Sequence, residues 1–476
     1  MSELQNYISG QWVEPDRVLP AQLCDANTGE ALGSQVGAGS KQIEAALEAG
    51  FAAHQSSIWA ATPVSERADR LDAVAVALES RGQRLAEEDA RQTGVVISLT
   101  EKFALVCAAA FRGAAALLRE PGTAAPLSGP HGDLLHQRLP LGLAAVIAPW
   151  NAPSGIACHK LASALAAGCP TILKPSEWAP GSAQAIAEAV VEADLPAGVF
   201  QMLHGGSDTG GLLVVDEKIA AVSFTGGLQG GRAVARACAE GMKPAQLELG
   251  GNNPLVVLED ANLEAAADGV VAAMTTLNGQ WCRALGRLLV HESVELPLLG
   301  LVEEKLQQVR IGSSLSHESQ MGPLVHSGHL QHVQDAIHHY EVMGADILRC
   351  GELPELDGWF MQPTLVTGLN PELTLEEVFG PVAAVHSFSS DSEAVFLANQ
   401  TPYGLAAYVF GEEQHCWQVA ADIRAGITKI NGVTMLNLNQ AAPRPAWGLS
   451  GLGDEGTRET FEFFRGSRLI GVAARP

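Results

Sequence analysis

Three residues of the chain have the makings of an acyl-transfer site. Cys282 stands in NGQWCRALGRLLV (278–290), after a Gly-Gln-Trp turn and before an apolar run. A thiol placed there is open to a substrate and not sealed in a core. Glu248 closes the apolar run of LELGGNNP (247–254) and is followed by two glycines. Asn151 lies in APWNAPSG (148–155), where a strand ends at Pro149-Trp150 and leaves the side-chain amide free to donate. A thiol, a carboxylate and an amide donor supply a nucleophile, a general base and an oxyanion stabiliser. Each also has a bland counterpart: a core cysteine, an ion-paired glutamate, an asparagine in a turn. Their order along the chain and a glycine-rich loop between them carry the weight.

That loop is FTGGLQGGR (224–232), which follows AAVSF and opens a helix through Ala239. Gly226 and Gly231 permit a tight turn and close approach of a ligand, and a helix N-terminus offers free N–H groups to a pyrophosphate. The spacing is not G-x-G-x-x-G, so a plain β–α turn stands as the alternative. LKPSE (173–177) adds Lys174 and Glu177 at a strand's carboxyl edge, where they suit ribose hydroxyls; two solvated charges are the alternative.

Such residues need elements to hold them. From about Leu141, LGLAAVIA, PTILK, GVFQML, KIAAVSF and AQLEL read as short apolar strands, with helices over 160–167 and 181–192 between them. Strands alternating with helices imply a parallel sheet with crossovers, the α/β class. The first 115 or so residues read as mostly helical, with amphipathic stretches at 43–51, 65–80 and 106–118. Gly- and Pro-rich 121–140 reads as a hairpin excursion. PLVVLED (254–260) and a helix through Ala272 open a second α/β domain that ends near Pro445, and 461–472 reads as a terminal strand.

The 476 residues are 47% apolar and 17% charged, enough for roughly three domains or subdomains around sizeable cores. A net charge of −24 disfavours nucleic-acid and membrane-surface partners. No apolar run is long enough to span a bilayer and the start lacks a secretory pattern, so a cytoplasmic chain is expected. The eight cysteines form no C-x-x-C pair, which argues against a disulfide framework or a zinc knuckle; Cys158 and Cys169 read as packing residues. His326, His329 and His332, followed by His338 and His339, have a spacing that brings zinc to mind, but read as a solvated helix. No metal is expected.

Nearly end to end, from YISGQWV to SGLGDEGT, the chain resembles the NAD(P)-dependent, non-acylating branch of the aldehyde dehydrogenase superfamily. The matching blocks are PWN, KPSE, FTGG, ELGG, GQWC, MGPLV (321–325), GWFMQPT (358–364), EEVFGPV (376–382) and TPYGLAAYVF (401–410). The resemblance implies that Cys282 is the catalytic thiol and Glu248 the general base. It makes Asn151 and the Cys282 N–H the oxyanion hole, and Lys160 and Glu455 a proton-relay pair behind the base. Lys174 and Glu177 then contact the adenosine ribose, Gly226 and Gly231 belong to the pyrophosphate turn, Glu377 holds the nicotinamide ribose, and Phe379 packs near the ring. Trp150, Ser176, Phe224, Thr225, Gly227, Leu249 and Gly250 complete the cofactor cradle. Glu177 favours NAD, because a carboxylate repels a 2′-phosphate, while leaving NADP open.

The same resemblance implies a Rossmann-like cofactor domain (1–121 and 141–247), an α/β catalytic domain (248–445) and a small β oligomerisation element (122–140 and 456–476), in a homodimer or homotetramer. Departures cluster at the end. Gly227 stands where the family often has serine, Asn252 where it has lysine. In PRPAWGLSGLGDE (443–455), Arg444 replaces an aromatic residue, Gly448 a lysine and Asp454 an arginine. Trp281, Trp150, His159 and Trp447 are candidates for an aromatic-walled tunnel suited to a medium-sized apolar or aromatic aldehyde. Arg444, if turned inward, would favour an aldehyde with a carboxylate tail. A CoA-acylating enzyme is disfavoured by the presence of Glu248. An inactive binding protein on the same scaffold is disfavoured by the presence of both thiol and base.

Overall fold

The computed structural model describes residues 3–120, 124–129, 132–435, 438–439 and 441–473. An eight-stranded sheet runs in the order Gln11–Val13, Asn6–Ile8, Phe200–Met202, Thr171–Lys174, Leu143–Ile147, Ile219–Thr225, Ala245–Glu248, Gly451–Leu452. Its five inner strands are parallel, and the flanking pairs are antiparallel. The inner strands are buried along all or most of their length because helices cover both faces, which is why they read as apolar runs.

A seven-stranded sheet runs Asp346–Arg349, Thr364–Thr367, Val382–Phe388, Leu285–His291, Asn253–Val257, Ala406–Phe410, Ile427–Ile430, parallel except at its first pair. A three-stranded antiparallel sheet joins Ala124–Gly129, Gly132–Pro140 and Arg465–Ala473. The chain is thus α/β with two mostly parallel sheets and a separate small β element, and the excursion at 121–140 is a hairpin wherever it is described.

Several expectations need correction. The N-terminal region is helical only from Ser40; before it lie four strands, between Asn6 and Gly37. Their cause is local. Ser9 (φ 52°) and Gly10 (φ 85°) make a two-residue turn, and Tyr7 pairs across it with Trp12, ring centroids 5.0 Å apart. A polar helix, Gly82–Thr93, lies outside the expected amphipathic stretches. The helix expected at 160–167 begins at Pro153, whose fixed φ suits a first turn. The tail is the helix Thr457–Phe463 followed by the strand Arg465–Ala473, so 461–463 belong to a helix.

Candidate functional site

The carboxyl edge of the first sheet gathers most of the candidate residues. Lys174, Thr225 and Glu248 are the last residues of three parallel strands of that sheet, and Thr225 is the register partner of Glu248. Asn151 follows the strand Leu143–Ile147, and the helix Pro153–Ala167 carries His159 and Lys160. This is where parallel α/β sheets place their ligands, outside the strands' carboxyl ends.

Cys282 arrives from the second sheet. The turn Thr276–Gly279 holds Leu277 (φ 50°), Asn278 (φ 58°) and Gly279 (φ 73°) in the left-handed region. Three buried amides fix this loop, and sequence reading missed all of them. Asn278 Nδ2 donates to the carbonyls of Gly94 and Pro323, both 2.8 Å, while its Oδ1 accepts from Gly322 N. Gln280 Oε1 accepts from Val325 N at 2.9 Å. Asn253 Nδ2 donates to the carbonyls of Cys282 (3.0 Å) and Ala284 (2.7 Å). The Asn-Gly pair at 278–279 was the one visible signal.

The three chemical residues meet. Asn151 Nδ2 donates to the Gln280 carbonyl at 2.9 Å, two residues from Cys282, which leaves its second N–H. The half-buried Cys282 thiol and the Glu248 carboxylate lie close enough for each to shift the other. Burial, and then the negative Glu248, push the Cys282 thiol well up. Burial and the nearby Glu455 raise Glu248, against the opposing pull of Arg283.

Behind Glu248 lies a paired charge network. Lys160, fully buried, donates to Glu455 and to Ser223 Oγ (2.8 Å). Burial works to raise Glu455, but Lys160, Arg444 and His159 outweigh it and hold this carboxyl at about 2. Arg444 Nη2 donates to His159 Nε2 (2.9 Å) and lies 3.5 Å from Glu455. Burial and Arg444 hold His159 at about 3, hence neutral.

The nucleotide side is open and partly unsatisfied. Lys174 pairs with Glu177 at 3.3 Å, and burial lowers the lysine. Ser176 Oγ accepts from Trp178 N. The Phe224 ring lies under Gly226 and Gly230, while Leu249 fills the space beside Gly231. A Cβ on Gly227 would meet nothing within 4 Å, and Thr225 Oγ1 is buried without a partner. Glu377 closes over Gly250 and accepts from Gly251 N at 2.7 Å; burial pushes it to about 8. Phe379, at φ 57°, packs edge-on against Trp150, centroids 5.5 Å apart.

The four residues expected to form an aromatic tunnel make different contacts. Trp281 is buried with Val95, Phe103 and Leu277; Trp150 faces Phe379 and His329; His159 is tied to Arg444 and Thr460; and Trp447 is 49% exposed on the short strand Trp447–Gly448. Arg444 is neither solvated nor free, since its charge is shared between His159 and Glu455. The histidine helix is not a solvated face throughout. His326 stacks on Trp178 at 3.8 Å and His329 donates to the Phe379 carbonyl, and burial holds both rings at about 4. Among the described residues no group of three or more His, Cys, Asp or Glu could hold a metal, and no helix is long and apolar enough to cross a membrane.

A model of the "Aldehyde dehydrogenase family" matches residues 12–470. A betaine aldehyde dehydrogenase of Cereibacter sphaeroides is 35% identical, over 99% of this chain and 97% of that protein. A non-phosphorylating aspartate-semialdehyde dehydrogenase of Halomonas elongata is 35% identical, over 94% and 92%. A solved structure of betaine aldehyde dehydrogenase from Staphylococcus aureus in complex with NAD+ superposes with a TM-score of 0.95 at 27% identity, covering 100% of this chain and 96% of that one.

Proposed function

Because the chain belongs to the aldehyde dehydrogenase family, we propose that it oxidises an aldehyde to the carboxylic acid through a covalent adduct on Cys282, with NAD as hydride acceptor. The observation that carries this reading is the meeting of the Cys282 thiol with the Glu248 carboxylate, two residues from the carbonyl bound by Asn151.

The fit to NAD rests on the strand edge. The helix Leu228–Glu240 begins at Gly227 with no side chain capping its free N–H groups, and the orphaned Thr225 hydroxyl lies beside it. Glu177 is positioned for ribose hydroxyls and disfavours a 2′-phosphate. Glu377 would hold the nicotinamide ribose, with Phe379 near the ring.

In the reaction, Glu248 takes the Cys282 proton and the thiolate attacks the carbonyl carbon. The developing alkoxide is held by the second N–H of Asn151 and the Cys282 N–H, donors oriented before the reaction. The hydride released as this adduct becomes a Cys282 thioester is what bound NAD is needed to accept. Glu248 then removes a proton from water, the hydroxide hydrolyses the thioester, and the acid leaves with the thiol restored. A carboxyl raised by burial is a better base than an ordinary glutamate. Lys160 and Glu455, already hydrogen-bonded to each other, carry the proton away from it.

The cofactor part is taken as 1–121 and 141–247, the catalytic part as 248–445, and the β element as 122–140 with 456–476. That element pairs between copies of the chain, a role supported by exposed Leu127, Leu134, Leu469 and Ile470 on its strands. A reducing, cytoplasmic setting suits eight unpaired cysteines.

NADH appearance with small aldehydes tests the reading. Cys282→Ala should abolish turnover while NAD still quenches or shifts protein fluorescence; surviving dehydrogenase activity would remove Cys282 from the mechanism.

A further inference from the structure

We infer that Arg283 binds a carboxylate at the far end of the aldehyde, so that the substrate is a short aldehyde acid; this rests on the reading that Cys282 is the nucleophile. Arg283 directly follows Cys282, and its backbone is fixed on both sides. Asn253 holds the carbonyls of Cys282 and Ala284, and the Tyr408 hydroxyl donates to the Arg283 carbonyl at 2.8 Å. The arginine is 8% exposed. Among the described residues no hydrogen bond or ion pair engages its guanidinium.

Two other arginines of the chain are engaged. Arg287 donates to the Leu397 carbonyl and Gln400, and Arg444 to His159, close to Glu455. With no anion in contact, the Arg283 guanidinium keeps its planar fork of donors free for a carboxylate.

The charge of Arg283 reaches the reacting groups. It pulls against the upward shifts of Cys282 and Glu248. It also acts on Lys429, which burial and then Arg283 lower to about 8. Arg283 and Lys429 therefore bring two cations together in a chain whose net charge is −24. Of the relatives of this chain, several are named for betaine aldehyde, whose tail is cationic, and one for a semialdehyde with a carboxylate. A quaternary ammonium tail needs aromatic faces or anions, and would here meet like charge.

The test uses the full chain, NAD and three aldehydes of one length: 4-oxobutanoate, butanal, and the aldehyde with a terminal trimethylammonium. Wild type should show kcat/KM for 4-oxobutanoate about tenfold or more above butanal, with the cation last. Arg283→Met should bring the first ratio toward one, mostly by weakening the apparent affinity for the oxo acid (a raised KM) and not by lowering kcat, and Arg283→Lys should keep part of it. Should the methionine variant fail to fold, wild type supplies its own readout. Succinate should compete with the aldehyde, and butyrate should be about tenfold weaker. The inference is overturned by equal use of 4-oxobutanoate and butanal, by preference for the cation, or by succinate and butyrate inhibiting alike. It is also overturned if Arg283→Met lowers all three aldehydes equally and moves the pH profile of Cys282 alkylation upward, since Arg283 would then serve the thiol. NADH from none of the three aldehydes would overturn the dehydrogenase reading itself, whereas butanal oxidation without a carboxylate preference overturns only this inference.

Discussion

The nucleotide turn (224–231) and the nucleophile loop (276–284) are built by opposite means. The first is a strand, a glycine turn and a helix, held by the hydrogen bonds of regular structure, and space remains above Gly227. The second has three successive left-handed residues and little regular structure. Its shape comes from amides of Asn253, Asn278 and Gln280 that reach segments far away in the chain. A turn that receives a cofactor can be open, whereas a loop that presents a thiol must be held before the substrate arrives.

Substitutions that press on the two regions should therefore have unequal effects. The largest is expected for Gly279→Ala. Its Cβ would lie 2.3 Å from Gly380 C and Pro381 N, backbone that cannot step aside, at φ +73°. We expect a loss of about 3 kcal/mol or more of stability, seen in thermal or chemical denaturation, with activity lost. Near-normal stability would mean that the loop is not clamped. Next comes Asn278→Ala, which strands two buried carbonyls and one N–H. A loss of about 2–4 kcal/mol follows, and Cys282 should become more reactive to iodoacetamide as the loop loosens. An unchanged alkylation rate would separate the clamp from the thiol.

A third change acts on charge. Glu248 must be ionised to work as a base, so turnover falls as pH drops through its raised pKa. Glu455 contributes to that rise. Glu455→Gln removes this repulsion and leaves Lys160 uncompensated, and both effects lower the Glu248 pKa. The acid limb of the kcat/KM profile should move to lower pH, although kcat itself falls if Glu455 carries the proton. A limb that stays in place would detach Glu248 from Glu455.

The same contrast governs what could be read from sequence. Strands such as Leu143–Ile147 and the helix Gly181–Glu192 are legible because burial on both faces leaves an apolar run and a 3.6-residue period. Glu248, Thr225 and Lys174 follow, since strand ends predict the carboxyl edge. The strands before Ser40 carry a mixed, half-exposed pattern of three to eight residues, which no helical or alternating template matches. Beyond the Asn-Gly pair, the clamping roles of Asn278 and Gln280 were invisible because their partners are backbone groups at Gly94, Pro323 and Val325, and backbone leaves no trace in residue type. His159 was taken as a tunnel candidate and Arg444 as a carboxylate binder if turned inward; only three dimensions show that they also face each other and Glu455. Arg283 passed unnoticed beside the thiol for the same reason, its significance being a missing partner.

The smallest effect should come from Gly227→Ser, which restores the residue common at this place. The added Cβ meets nothing within 4 Å, and the backbone at φ −71°, ψ 158° is extended and open to any residue. Gly227 is also the N-cap of Leu228–Glu240, a position where serine accepts from a first-turn N–H. Stability should rise by a few tenths of a kcal/mol, and the KM for NAD should change by no more than about threefold, because a hydroxyl there can either reach a phosphate or satisfy the helix. Equilibrium unfolding and NAD titration measure both. If serine at 227 destabilises the chain as alanine at 279 is expected to, then the nucleotide turn is packed as tightly as the nucleophile loop, and the contrast of an open receiving turn with a clamped thiol is the wrong description of this site.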